Sequence, residues 1–586
     1  MARALLAALV AATTTAAAQT APASPPPQQP ASDAPAADKG QQDVDQRIEA
    51  AKKELRDEIR AQMATQAAAQ GWEEEWADQT RKLELLELDG YLRVRPDLFH
   101  KFDLNRTNDP SDFPLFPRPH AGERTIAGVN MRMRVEPTIN VSEEVRIKLQ
   151  VDALDNLVFG SSPAYATRSD RFDFGITSRS QVPPSALGLF QDSIAVKRAY
   201  GEVSTPIGIL RFGRMGSHWG LGMLHNDGNC VDCDYGDTVD RLQFVTEPLT
   251  GWYFTPMLDF DVEGPFSPPD ATQGQPFDLS NRDDAHSYVL AIARRDTAQQ
   301  ERAKMDNGLS ILNYGVHYMY RVQRFDPVAW AENPTDPNAT RRESRNAAVH
   351  VPDLWAKFER KDFRVELEAA AVLGTLDAEI GPEGAQRQET LTLIQFGAVA
   401  QGEYRFMEGQ LRLGLEAGFA SGDRAPGLGN RPGRLSSGPN GNPVPNDIDG
   451  RQFACDAVNC SDSLIKNFRF NRDYRPDLIL YREILGGVTD SIYVKPTLTY
   501  SVAEGFDIFG SVIGSGAAFR ESTPSGKSRM LGFEIDAGAS YETEDGFIAS
   551  VRWGILFPQG GLESHQPSDP QLETAQAIRA IIGIKY

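Results

Sequence analysis

The last ten residues, "AIRAIIGIKY" (577–586), decide the fold. Read backwards in steps of two, Tyr586, Ile584, Ile582, Ala580 and Ile578 share one side, and Lys585, Gly583, Ile581, Arg579 and Ala577 share the other. A period of two is that of a strand whose faces meet different surroundings. The pattern recurs upstream. In "VRIKLQVDA" (145–153), Val145, Ile147, Leu149 and Val151 oppose Arg146, Lys148, Gln150 and Asp152. In "QLRLGLEAGF" (410–419), Leu411, Leu413, Leu415, Ala417 and Phe419 oppose Gln410, Arg412, Gly414, Glu416 and Gly418. In "FIASVRWGILF" (547–557), Phe547, Ala549, Val551, Trp553, Ile555 and Phe557 oppose Ile548, Ser550, Arg552, Gly554 and Leu556. Aromatic residues such as Tyr500, Tyr541, Phe557 and Tyr586 rim the apolar faces, as in the girdles of a barrel at a lipid interface.

Bulk composition alone hides this. The chain carries 60 Lys and Arg against 81 Asp and Glu, a net charge of -21, with a mean hydropathy of -0.40. So acidic a balance argues against a nucleic-acid partner, because neutralising phosphates needs a basic surface. No later stretch reaches the roughly 18 apolar residues of a membrane-crossing helix. A barrel escapes that test, since it crosses with strands of about 9 to 11 residues that are only half apolar.

The N-terminal part reads differently. Residues 1–18 of "MARALLAALVAATTTAAAQT" have the short apolar run and small residues of a secretory signal, and no Cys precedes position 230 to carry a lipid. Residues 19–43 are a Pro- and Ala-rich linker with nothing to bury. From 44 to 84 the sequence turns helical, with Val44, Ile48, Ala51, Leu55, Ile59 and Met63 along one stripe. This segment is either a solvated periplasmic helix with a packing stripe or an oligomerising coiled coil, though it lacks three or four clean heptads.

From 85 to 586 the connections fall into two kinds. Tight ones occur at 140–144, 204–208, 247–251, 360–362, 406–409, 502–505 and 543–546. Long ones, rich in Gly, Pro, Asn and Asp, occupy 97–124, 157–191, 218–238, 263–283, 325–349 and 421–489. Short turns alternating with long loops are the topology of a closed antiparallel transmembrane β-barrel, the turns facing the periplasm and the loops outside. Placing the apolar "LILYREILGG" (478–487) inside the longest loop, as a short helix, keeps the alternation and leaves about eighteen strands; sixteen is the smaller alternative. Pro496 interrupts the strand "SIYVKPTLTY", where it removes a ladder donor.

Two segments, "GILRFGRMGSHWGLGMLHNDGNCVDCDYGDTVDRLQFVT" (208–246) and "NFRFNRDYRPDLILYREILGGVTDSIYVKP" (467–496), together with "LDGYLRVRPDLF" near the start, resemble an uncharacterised deltaproteobacterial, myxobacterial-type family of exported outer-membrane barrels. The strand-plus-Gly-Arg pattern is also loosely similar to porin-like and alginate-export barrels. The resemblance spans about 85–586 and implies fold and outer-membrane location in a Gram-negative bacterium. It transfers no substrate.

The inward face is predicted to carry charges of both signs: Arg93, Arg95, Arg132, Arg134, Arg146, Lys148, Arg321, Arg364, Arg405, Arg412, Glu416, Lys495, Glu534, Asp536 and Arg552, joined by Glu136, Asp152, Glu366, Glu368 and Glu403. A bore of eighteen strands is too wide for side chains to fill unaided, so a polar lining implies a water-filled path for small hydrophilic solutes. Loop 421–489 is the expected constriction. The alternative is a structural or surface-interaction barrel with a plugged lumen. Two close cysteine pairs, Cys230 with Cys233 and Cys455 with Cys460, suit disulfides in outside loops. Asp227, Asn229, Asp232, Asp234 and Asp237 offer oxygens for calcium, but without the spacing of a helix-loop-helix site; apart from calcium no cofactor is expected. Ser217 beside His218 is the one suggestion of catalysis, and no Gly-x-Ser-x-Gly elbow is present, so no enzyme is expected. The partners expected are membrane lipid, small hydrophilic solutes, the barrel-assembly machinery through the last strand, and further copies of the chain through the N-terminal helix.

Overall fold

The computed structural model describes residues 85–106, 123–158, 194–262, 284–328, 341–380, 387–424, 428, 464–563 and 570–586. The signal, the linker, the helix expected over 44–84 and the Cys455–Cys460 pair lie outside the described residues.

Strands dominate, as the two-residue period requires. The first nine are β1 (Leu86–His100), β2 (Thr125–Asn140), β3 (Val145–Val158), β4 (Ile194–Thr205), β5 (Gly208–Gly216), β6 (Thr238–Leu249), β7 (Trp252–Val262), β8 (Ala285–Arg294) and β9 (Ile311–Val328). They continue through β10 (Arg341–Arg360), β11 (Phe363–Ile380), β12 (Arg387–Phe406) and β13 (Leu411–Ala420). A two-residue β14 (Leu464–Ile465) precedes β15 (Ser491–Ala503), β16 (Phe506–Ala517), β17 (Met530–Glu542), β18 (Phe547–Pro558) and β19 (Ala575–Lys585). Each long strand pairs antiparallel with the next, and β13 pairs directly with β15. β1 pairs with β19 from Tyr91↔Lys585 to His100↔Gln576, which closes the sheet. Only β14 stands aside, parallel to β12 at Thr392↔Leu464. The molecule is thus a closed eighteen-strand antiparallel transmembrane barrel with one short extra strand.

Closure at the chain's end is explicit. Gly90 and Tyr586 exchange both backbone hydrogen bonds at 3.0 Å, and the Tyr586 hydroxyl donates to the Arg134 carbonyl at 3.1 Å. Ile578, Ile582, Ile584 and Tyr586 face outward and exposed, while Ala577, Arg579 and Ile581 are buried inward. This is the face assignment that "AIRAIIGIKY" predicted. The outer surface as a whole is apolar: Leu354, Leu415 and Ile582 are 54, 56 and 53% exposed. In water such a belt would be unfavourable by about 25 cal/mol per Å², so its complement is hydrocarbon. Aromatic pairs mark the rim at the tight turns, among them Tyr541–Phe547 and Trp252–Tyr314.

The seven tight turns predicted are present between consecutive strands. Gly505 shows why one of them needs its residue: φ is +70°, and a Cβ there would sit 2.1 Å from the Glu542 carbonyl. Pro496 faces outward with the apolar side chains of β15, and the β15–β16 register has no partners at Lys495 and Pro496. An eighth turn-end connection, β8 to β9, holds an unpredicted helix (Ala298–Asp306). Thr297 and Gln300 cap it reciprocally, each side chain accepting the other's backbone N–H.

Two long connections do not stay outside. Residues 217–237, between β5 and β6, and 464–490, between β13 and β15, fold into the lumen. This corrects the expectation that the Asp-rich segment is an outside loop. It bears out the expectation that "LILYREILGG" lies within the longest loop, where Leu480–Ile484 form one wide helical turn. Phe468, Phe470, Leu478, Ile479, Leu480 and Tyr481 are fully buried there, packed against inward wall residues such as Ala370, Val399, Ile513 and Leu556.

Candidate functional site in the lumen

Inward-facing carboxylates of the wall hold the two inserts by their backbones. Glu534 of β17 accepts from the amides of Leu478, Ile479 and Leu480 at 2.9, 2.7 and 3.0 Å. Glu368 of β11 accepts from the amides of Leu221, Met223 and Leu224. Within the second insert, the Asp477 carboxylate accepts from the amides of Tyr481 and Arg482 and so ties off the wide turn. A carboxylate collecting several N–H groups replaces the water those groups would lose on burial.

The inserts also hold each other. Asp473 accepts from the amides of Asp234 and Tyr235, and Asn471 donates to Asp237 at 2.7 Å. Arg482 reaches Asp232 at 2.8 Å, and Arg475 reaches Asp234 at 3.2 Å. Against them stand the arginines of the first strands. Arg93 donates to the Val231 carbonyl and Arg132 to the Cys233 carbonyl, both at 2.6 Å, and Arg95 pairs with Asp234 at 2.9 Å. Arg134 grips Asp152 through two bonds of 2.6 and 2.8 Å. Burial pushes the Asp234 carboxyl up, but the Arg95, Arg475, Arg93 and Arg132 charges outweigh it and hold the group well below the usual carboxylate range. Asp232 is held low in the same way, against its burial, by Arg482 and Arg579 foremost.

The first fifteen of the charged positions named above, Arg93 to Arg552, all project from the inward face, but they divide into two sets. Arg93, Arg95, Arg132, Arg134, Glu534 and Asp536 are buried beneath the inserts. Arg146, Lys148, Arg321, Arg364, Arg405, Arg412, Glu416, Lys495 and Arg552 are less covered, and several make pairs along the wall. Arg405 bridges Glu403 and Glu359 at 2.7 and 2.9 Å, Arg321 stands 3.5 Å from Asp261, and Arg364 and Arg412 contact Glu366 and Asp507. Glu416 accepts from the Tyr474 and Tyr493 hydroxyls, and Arg552 lies over the Phe509 ring. A wall of neighbouring opposite charges puts a transverse field across whatever space remains.

Three expectations change at this point. Cys230 and Cys233 are bonded, but in the inward insert rather than an outside loop. The oxygens offered to calcium are engaged otherwise: Asp232 and Asp234 face guanidinium groups, Asp227 lies 3.4 Å from Arg198, and Asp237 receives Asn226 and Asn471. Among the described residues no group of three or more His, Cys, Asp or Glu is placed to hold a metal ion. Ser217, one residue past the end of β5, does not turn to its neighbour His218. Instead its hydroxyl accepts from Arg241 at 3.2 Å while His218 faces Asp227 at 3.8 Å.

Sequence reading missed the flank of the lumen along β5 to β9. There Arg211 pairs with Glu202 and Arg241 with Asp259, and Arg295 lies 4.4 Å from the centre of the Trp355 ring. A cavity of about 110 Å³ opens between the three arginines, Tyr253, His317 and Trp219. The alternation in "TVDRLQFV" could have placed Arg241 and Gln243 inward, whereas in "GILRFGRM" Arg211 shares its face with Ile209 and Met215; nothing local shows that Trp219 folds back over them.

No protein-family model matches this sequence, and no curated protein matches it. Solved structures it resembles include the outer membrane protein OpdK from Pseudomonas aeruginosa, at 9% identity and a TM-score of 0.41 over 85% of this chain and 99% of that one. OccAB4 of Acinetobacter baumannii matches at 8% identity and 0.41 over 85% and 98%. A loop-deletion form of OmpT, an outer membrane protein of Vibrio cholerae, matches at 9% and 0.34 over 86% and 100%.

Proposed function

We propose that the protein is an outer-membrane channel of a Gram-negative bacterium, passing small hydrophilic solutes by weakly selective diffusion through a lumen narrowed from within, and catalysing no reaction. The observation that carries this reading is the pairing of an apolar outer belt with an inner wall of ionised pairs that the inserts only partly cover, leaving the cleft along β5 to β9. In this reading the tight turns and the 44–84 helix face the periplasm, and the last strand addresses the assembly machinery. Calcium has no part in it, because its candidate ligands face arginines and amides. The resemblance to exported myxobacterial-type barrels supports the location and says nothing of the solute.

One observation favours the second reading, a plugged structural barrel: the apolar core that residues 464–490 build against the wall. Single-channel recording in planar bilayers separates the two. A channel gives discrete steps that grow when residues 464–489 are removed or when Arg475→Ala loosens the junction of the inserts. Silence from the folded full chain, with steps that appear only once residues 464–489 are removed, would establish the plug.

A further inference from the structure

We infer that the cavity along β5 to β9 is a binding station for an uncharged polyhydroxy solute, from glycerol to a monosaccharide in size. The inference rests on the channel reading and names the solute class of its narrow passage. Three arginines line the cavity, which at first suggests an anion, but their charges are met from behind. Arg241 is gripped by Asp259 through two bonds, Arg211 by Glu202 at 2.8 Å, and Arg295 lies over the Trp355 ring, 4.4 Å from its centre. Burial keeps the imidazoles of His218 and His225 depressed, the latter to about 4, so neither adds positive charge at neutral pH.

What the cavity lacks is hydrogen-bond partners, of both kinds. Among the described residues Trp219 Nε1, the Tyr253 hydroxyl, Gln243 Oε1 and His317 Nδ1 have no protein partner, though their residues are only 7, 6, 4 and 4% exposed. The indole offers a donor, the amide oxygen an acceptor, and the phenol either. Hydroxyl groups of a polyol both donate and accept, so they match this set. A carboxylate only accepts, and would leave the Gln243 oxygen unmet at the cost of a buried orphan. The remaining lining is apolar, with Met257, Ala291 and Ala293 beside the indole. The Trp219 ring reaches the wall because Gly315 has no side chain: a Cβ there would lie 2.8 Å from the indole Cη2. An indole face beside small apolar groups suits the C–H face of a sugar ring. The volume of about 110 Å³ is that of roughly four waters in the liquid. It takes glycerol whole, or one side of a pyranose whose remainder stays in the lumen.

The test is binding to the full chain in detergent, which does not depend on an open pore. Glycerol, D-xylose and D-glucose are titrated while tryptophan fluorescence is followed, with acetate and benzoate as charged comparators. The expected result is a saturable response to the polyols that is indifferent to salt, disappears in Trp219→Phe, and weakens about tenfold in the Tyr253→Phe, Gln243→Leu double variant, as two lost hydrogen bonds imply. No response to any polyol, a response that survives both variants, or a salt-sensitive response to the carboxylates alone would each overturn the station. Conductance of the same preparation distinguishes the two proposals: binding without conductance sinks the channel, and conductance without binding sinks the station.

Discussion

Asp234 shows what a single residue does in this lumen. Its carboxylate serves Arg95 and Arg475 directly, with Arg93 and Arg132 beyond. Replacing one partner of a buried cluster leaves the others uncompensated, at about 3 to 5 kcal/mol. Asp234→Asn is therefore expected to lower the urea midpoint of the folded barrel and to shift reversal potentials toward anions; an unchanged midpoint would show that water, not Asp234, balances the arginines. Because this carboxyl is depressed, its contribution is present above the ordinary carboxylate range and is lost only as pH falls well below it. Asp490 behaves oppositely. Burial, with Asp423 beside it, pushes its carboxyl up to about 7 against its bonds from Ser522 and Phe519. Between about 4 and 7 the unfolded chain gives up this proton while the folded one keeps it, so stability falls as pH rises through that window. Asp490→Asn should leave stability unchanged below pH ~4 and raise it near pH 8. A gain of equal size at both pH values would mean that the carboxyl does not titrate in this window.

At the scale of the element, β19 carries the clearest expectation. Its outward Ile578, Ile582, Ile584 and Tyr586 are exposed, and its backbone closes the barrel against β1. Changing these four to Ser or Thr removes the lipid-facing stripe of the closing strand. The variant should fail to give the heat-modifiable folded band on gels, and normal assembly would count heavily against the membrane-facing assignment. The alternation that reveals β19 also reveals β3, β13 and β18, because a strand's faces are set by local sequence. The capped helix at 298–306 was equally local: Thr297 and Gln300 stand at capping-box spacing ahead of it. It escaped notice because its residues apart from Met305 are polar or small, with no stripe to announce it.

For the whole molecule, the deciding feature is that two long connections turn inward and lock together. The Cys230–Cys233 bond fixes the turn whose carbonyls meet Arg93 and Arg132, Cα atoms 5.1 Å apart. Cys230→Ser with Cys233→Ser should loosen this turn, speed amide exchange over 228–237 and raise open-state current noise without loss of the folded band. Unchanged exchange would show that the arginine contacts alone suffice. Nothing in "NDGNCVDCDYGDTVD" distinguishes an aspartate bound for water from one bound for a guanidinium 140 residues away. Its acidic composition suits both, and the structure chose the second.

By itself, then, the sequence determined the barrel: strand faces follow from a period of two, strand count from the rhythm of turns and loops, and the membrane from the apolar face. These are short-range properties, legible wherever backbone geometry repeats. The tertiary structure alone decided what fills the lumen. Whether an insert stays outside or enters depends on charges and amides brought together from strands far apart in the chain, such as Glu534 with Leu478 or Arg95 with Asp234. Contacts of that kind leave no period behind them, and only the closed barrel puts their partners within reach.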